Sequence, residues 1–340
     1  MGSEPVKPRQ FPVPVTSVGT TPLRRPGSIR RTTSIDSKWP EGVAQPRIMR
    51  GQARDLYTPE AGAARVIAQA EFELSVSPKR EMLSLSVSPP TPEAQKLVGI
   101  QAGSPRGSSR AIIAEQLGHL AGTPLFQLLD DYSGTSLVSV WGWMRWSELS
   151  GNGPLDFIGK PMDMTNICIG HAAGASSLGP GGSSNQQLQQ VVPVPPFVNP
   201  ADPEGWHEMA DQAGPAHRRA RRIDVWREES ITRVDSWFQD SAPSPDGGRI
   251  AVHEYLVTAE IGPDETITDL RATGLILPYA ECPGSVTEIH RLIGQPVSSL
   301  RKVVPVTLAG PLGCTHLNDV LRALADVPAL AAQIAGAVPA

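Results

Sequence analysis

Four residues in the C-terminal third carry donor atoms that suit metal or thiol chemistry: His253, Cys282, Cys314 and His316. Two thiolates and two imidazoles are a normal set for tetrahedral zinc, and thiolates also suit iron and iron–sulfur chemistry. Free cysteine is also among the residues most often buried as a small hydrophobe, so packing is the plain alternative. A third reading makes Cys314 a nucleophile, its thiolate favoured at a helix start. His253 is then the better base, because His316 lies two residues on, and helix residues two apart do not face each other. Glu254 and Asp269 are the nearby carboxylates for orienting a histidine. Cys168 and His171 offer a further ligand or a cap from a more distant stretch.

These residues need elements to bring them together. Ile250 to Ile261 alternates as a strand and carries His253; Gly262-Pro263-Asp264 turns, and Thr266 to Thr273 is the next strand. Cys282 precedes Pro283, which opens a helix with Val286, Ile289 and Ile293 on one face. Cys314-Thr315-His316 leads into a last helix over Asp319 to Leu330. If both helices pack on the sheet, the donors meet at one end of it. The chain contains no Cys-x-x-Cys. Its Gly179-Pro180-Gly181-Gly182 lacks a following Lys-Ser/Thr, so it reads as linker, not as a phosphate-binding loop.

The same order is written earlier. A strand from Ala64 to Ser77, a Pro78-Lys79 turn, a strand from Met82 to Val87, a helix from Pro92 to Gly99 and a helix from Pro124 to about Asp131 precede a different stretch. Arg30-Arg31 with Ile35-Asp36 matches Arg218-Arg219 with Ile223-Asp224 at the same spacing, and Thr123 and Leu125 match Thr315 and Leu317. The reading is a duplication. In the first copy Ala70, Thr91, Gly122 and Pro124 stand where the second has His253, Cys282, Cys314 and His316. The first copy is thus degenerate for chemistry.

The expected organisation is a disordered leader over 1–21, a first α+β repeat over 22–133, a Trp- and Gly/Pro-rich connector over 134–212, and a second repeat over 213–335 that holds the candidate site. Three cysteines among 340 residues exclude a disulfide scaffold. No apolar run is long enough for a membrane span and no signal peptide is legible, so a cytoplasmic protein without a membrane partner is expected. The first fifty residues hold nine Lys or Arg against three Asp or Glu, a net of +6, and the overall −4 leaves −10 for the rest. That reads as a basic flexible tail on an acidic body. Trp39 is the single aromatic between Arg24 and Arg50, which argues against a nucleic-acid partner. The partner is left as an unknown protein or small molecule, with the two repeats packed on each other.

His217-Arg218-Arg219 through Asp224, His253-Glu254, Cys282-Pro283, Leu292-Ile293-Gly294 and Gly313-Cys314-Thr315-His316-Leu317 together resemble a bacterial family, the domain of unknown function number 2889, over about 217 to 330. Arg30 to Asp36, Trp39-Pro40 and Gly51 to Leu56 resemble the amino-terminal part of its actinobacterial members. The resemblance brings no activity. Residues 251–324 are also similar in layout to the IscU-type iron–sulfur scaffold. That likeness implies two tandem small antiparallel sheets with helices packed on them, and a ligand role for His253, Cys282 and the Cys314-Thr315-His316 opening. The scaffold's first cysteine would fall on Ala251, so one thiolate is missing and a single zinc or iron ion is favoured over a cluster. The expected function is a metal-binding accessory protein. The alternatives are a catabolic enzyme using Cys314 or a metal-bound water on a small organic substrate, and a non-catalytic interaction protein.

Overall fold

The computed structural model describes residues 7–103, 108–151 and 162–337. Eight long strands and one short one form a continuous antiparallel sheet. The first four are β1 (Ser28–Lys38), β2 (Arg47–Thr58), β3 (Arg65–Val76) and β4 (Met82–Ser88). The short β5 (Val192–Val194) precedes β6 (Ala216–Glu228), β7 (Ile231–Pro243), β8 (Arg249–Ile261) and β9 (Ile267–Ile276). The order is β4-β3-β2-β1-β6-β7-β8, and β8 pairs on its far side with both β5 and β9. The α+β class holds. The expectation of two small separate sheets gives way to one sheet, because β1 and β6 pair along their whole length, Ser28 opposite Trp226 through Lys38 opposite Ala216.

That central seam is polar in sequence yet buried on both faces. Strand alternation sends odd-numbered side chains of β6 to one face and even-numbered ones to the other. On one face Arg31 grips Asp55, Arg219 grips Asp240, and Arg221 grips Asp131. On the other, Arg30 Nε and Nη2 donate to Asp224 at 2.6 and 2.8 Å, and Arg218 Nε and Nη2 donate to Asp36 at 2.6 Å each. The last two pairs are reciprocal across the seam. A buried guanidinium needs a matched carboxylate, and removing one partner costs about 3–5 kcal/mol. Three arginines of the supposed basic tail therefore belong to the interior, Arg30 paired with Asp224, Arg31 with Asp55, and Arg47; half-buried Arg24 pairs with Asp202, while Arg9, Arg25 and Arg50 are exposed.

Helices cover the Arg31 and Arg219 face: α1 (Ser109–Leu117), α2 (Pro124–Val138), α3 (Val140–Leu149), α4 (Leu300–Thr307), α5 (Thr315–Ala323) and α6 (Val327–Ala337). Two apolar clusters lie beneath them, one centred on Leu74, Leu97, Leu128 and Tyr132, the other on Phe238, Tyr255, Leu317 and Leu324. The boundary expected at 133 falls inside α2, whose small residues Ser133, Thr135 and Ser136 are buried. The Trp141, Trp143 and Trp146 patch is α3, packed on β6 and β7. The helix expected over Asp319 to Leu330 is broken by a 3-10 turn at Leu324–Asp326. It also begins earlier, at Thr315. Cys282–Leu292 is a 3-10 helix.

Residues 197–209 of the connector cover the opposite face, where Phe197, Trp206 and Trp237 meet with ring centroids 4.7–5.8 Å apart. Residues 7–21 are not a free leader either, and residues 1–6 lie outside the described residues. Thr16 N donates to Leu275 O, Leu277 N to Pro14 O and Phe11 N to Ala280 O, so the segment satisfies its backbone against β9 and the loop after it. Pro-rich composition removed periodicity but left a backbone able to lie extended along an edge. No helix among the described residues is long and apolar enough to cross a membrane.

Candidate metal centre

β7 and β8 place Asp240 opposite His253 on the helix-covered face. α5 begins above them. Cys314 is its N-cap, Cys314 O accepts from Asn318 N at 2.8 Å, and His316 lies in the first turn. The donor atoms of His253, Cys314 and His316 all fall within 4.8 Å of one another. The two imidazoles stack with centroids 3.5 Å apart and planes 15° apart. Cys314 Sγ lies 3.9 Å from His316 Nδ1. Ligand atoms on a tetrahedral zinc stand roughly 3.3–3.6 Å apart, so the set is near that spacing, and closing it on one ion requires the stacked rings to tilt until their in-plane lone pairs converge.

Asp240 is the carboxylate that orients the site, and neither Glu254 nor Asp269 takes that part. His316 Nε2 stands 3.4 Å from Asp240 Oδ2, and His217 Nε2 stands 3.3 Å from Oδ1. Arg219 holds both Asp240 oxygens and extends to Asp319 on α5. Burial alone would raise the Asp240 pKa, but Arg219 and His217 keep its carboxyl well below the usual range. Glu254 points to the other face, where it accepts from Ser17 Oγ, Val18 N, Trp237 Nε1 and Gln239 Nε2. Asp269 pairs with Arg271 near the surface. Asp240 was missed because its place depends on the β7–β8 register, which spacing along the chain does not reveal.

Burial sets the protonation of the donors. It pushes His316 down to about 4 and holds His253 well below its usual value, so both rings are neutral near pH 7. It pushes the Cys314 thiol up, against a hydrogen bond with Tyr255. His253 Nδ1 is buried with no hydrogen-bond partner among the described residues. An unpartnered buried nitrogen is costly. Beside a thiol and a second imidazole, it is a donor that a metal would satisfy. The residues present therefore fit an ion of the zinc or iron kind.

Cys282 stands apart from that trio. It joins Cys168 beneath the connector, where a Cβ on Gly170 would lie 2.6 Å from Cys282 Sγ and 3.7 Å from Cys168 Sγ. Only glycine lets the connector approach so closely. Ile169 N donates to Gly313 O at 2.9 Å, which seats this turn beside the start of α5. Cys168 Sγ lies 3.5 Å from His171 Nδ1, and burial pushes its thiol up to about 12. Besides burial, Cys314 pushes the thiols of Cys168 and Cys282 up, and Cys168 pushes up that of Cys282, so the three cysteines lie near one another. The sequence offers Cys168 and His171 only as a further ligand or a cap from the connector, and the turn at Gly170 is what brings Cys168 beside Cys282.

Residues 217–330 match the family described as "Protein of unknown function (DUF2889)". The match spans the strands and helices that carry His253, Cys282, Cys314 and His316, and it leaves the first half of the chain outside. No curated protein and no solved structure matches the chain.

Proposed function

We propose that this protein binds a single zinc or iron ion through His253, Cys314 and His316, as a metal-binding accessory protein. The observation that carries the reading is the gathering of three donor atoms within 4.8 Å, from β8 and from two positions at the start of α5. Asp240 supports it as the outer carboxylate of a carboxylate–histidine–metal arrangement. The IscU-type layout lends a strand ligand and a last-helix ligand pair, while an iron–sulfur cluster is the less favoured cargo. Three protein donors leave one tetrahedral position for a ligand from outside or for a second thiol such as Cys282. Catalysis by Cys314 alone fits less well, because a buried thiol pushed up in pKa holds its proton.

The duplication belongs to the same reading. Its support is the reciprocal pairing of Arg30 with Asp224 and Arg218 with Asp36, and the recurrence of Arg31–Asp55 as Arg219–Asp240. One half would then keep the metal donors and the other would keep the packing.

The test is elemental analysis of protein purified without oxygen, with the variants His253→Ala, Cys314→Ala and Cys282→Ala beside the parent. About one ion per chain is expected in the parent and in Cys282→Ala, with loss in the other two. A parent that stays metal-free after incubation with zinc or ferrous iron, or a Cys314→Ala variant that retains the ion, would overturn the reading.

A further inference from the structure

We propose that a cavity lined by Arg47, Trp39, Val43, Val76, Pro78 and Val140, between the β1–β2 connection, the end of β3 and the start of α3, binds an aromatic monocarboxylate. It does not rest on the metal reading. The cavity has a volume of about 280 Å³, room for one ring and its substituents, and its walls are mostly apolar. Trp39 forms one side and is itself braced edge-on by Trp143, centroids 5.7 Å apart.

Arg47 is what makes the cavity unusual. It is 3% exposed. Its Nη2 donates to Ser136 O at 3.0 Å and to Ser136 Oγ, both uncharged acceptors. Its Nε is buried with no partner among the described residues. No carboxylate among the described residues pairs with it; nearby Tyr132 favours its charged form and Arg80 opposes it. Burial lowers its pKa to about 10, a sign of a cation lacking compensation. The buried arginines of the seam show the contrast, since Arg30, Arg31, Arg218, Arg219, Arg221 and Arg222 each hold at least one carboxylate.

A guanidinium kept buried without a carboxylate is costly unless an anion completes it. Arg47 lines the cavity and supplies the positive charge that a carboxylate there would meet. A dianion such as phosphate would need more donors than the apolar walls supply, whereas a ring would fill them beside Trp39. A single negative charge on an apolar body is therefore the ligand that satisfies both halves of the cavity.

The experiment is calorimetric titration of the full chain with benzoate and with uncharged benzyl alcohol, backed by ligand-observed NMR. The variants are Arg47→Met, Arg47→Lys and Ala44→Phe, the last of which fills the cavity and leaves Arg47 in place. Benzoate is expected to saturate the parent. Its affinity should fall by about tenfold or more in Arg47→Met, fall less in Arg47→Lys, and be lost in Ala44→Phe. Benzyl alcohol should not distinguish the parent from Arg47→Met. Without ligand, Arg47→Met should melt no lower than the parent. Absent saturation by benzoate, equal affinity in Arg47→Met, or a large drop in melting temperature of ligand-free Arg47→Met would each overturn the proposal.

Discussion

The two halves of the sheet, beside α2 and α5, carry the same kind of ion pair and use it differently. At one, Arg31 donates to both oxygens of Asp55 at 2.6 and 2.7 Å, and its remaining donors go to Asp326 and to the carbonyl of Gly122. At the other, Arg219 holds both oxygens of Asp240 at 3.0 and 2.9 Å and also reaches Asp319. Asp55 faces Ala68 across its neighbouring strand, whereas Asp240 faces His253. On the proposed duplication, the sheet register sets Ala68, and not the Ala70 of the sequence match, in the place of His253. The lesson is chemical. An Arg–Asp pair that closes on itself is packing, and one that shares its carboxylate with imidazoles can also orient ligands.

The largest expected effect separates these roles. Asp55→Asn and Asp240→Asn each strip the charge from a buried guanidinium's partner, and each should lower stability by about 3–5 kcal/mol in chemical denaturation. Only Asp240→Asn should also weaken metal binding, by about 10- to 100-fold in a competition assay with a chelator. Equal metal affinity in both variants would erase the distinction between the two halves.

A smaller effect tests why Gly122 stands at the start of α2. It has φ +89°, and an added Cβ would lie 2.7 Å from Ala329 Cβ. Gly122→Ala should cost about 1–3 kcal/mol, from left-handed strain and the clash together. Its metal content should not change. An unaltered melting curve would show that the close approach of α2 and α6 is adjustable.

The third expectation concerns the seam between the halves. His207 bridges Thr32 Oγ1 at 2.8 Å and Ser34 Oγ at 2.7 Å, and burial lowers its pKa from 6.5 to about 3. The unfolded chain takes up a proton below 6.5 that the folded ring refuses. The stability tied to neutral His207 is thus complete above pH 6.5 and is lost as pH falls towards 3. At pH 5 the loss amounts to about 2 kcal/mol. His207→Gln should flatten that part of the stability–pH curve, and an identical pH slope in the variant would refute the assignment.

Much of the second half was legible in the sequence because its signals are local. Alternation marked β8, Pro283 marked the helix after Cys282, and Cys314-Thr315-His316 preceded an apolar helix. The strands β1 and β6 gave weaker signals, since polar and charged residues outnumber apolar ones on both of their faces. Their burial follows from carboxylates that are far away in the chain, such as Asp224 for Arg30 at a separation of 194 residues. The same limit hid Asp240 beside His316, Cys168 beside Cys282, and the ordered course of residues 7–21.

The sequence by itself determined the residue types available for chemistry, the α+β class and the positions of β3, β4, β8, β9 and the helices after Thr123, Cys282 and Cys314, because propensity, periodicity and turn residues act over a few neighbours. Only the tertiary structure decided which donors meet. It joined the halves into one sheet, chose Asp240 over Glu254, set Cys282 beside Cys168 and left Arg47 buried without a carboxylate. Those outcomes depend on strand register and on long-range ion pairing, and both are fixed by the burial of whole surfaces against each other.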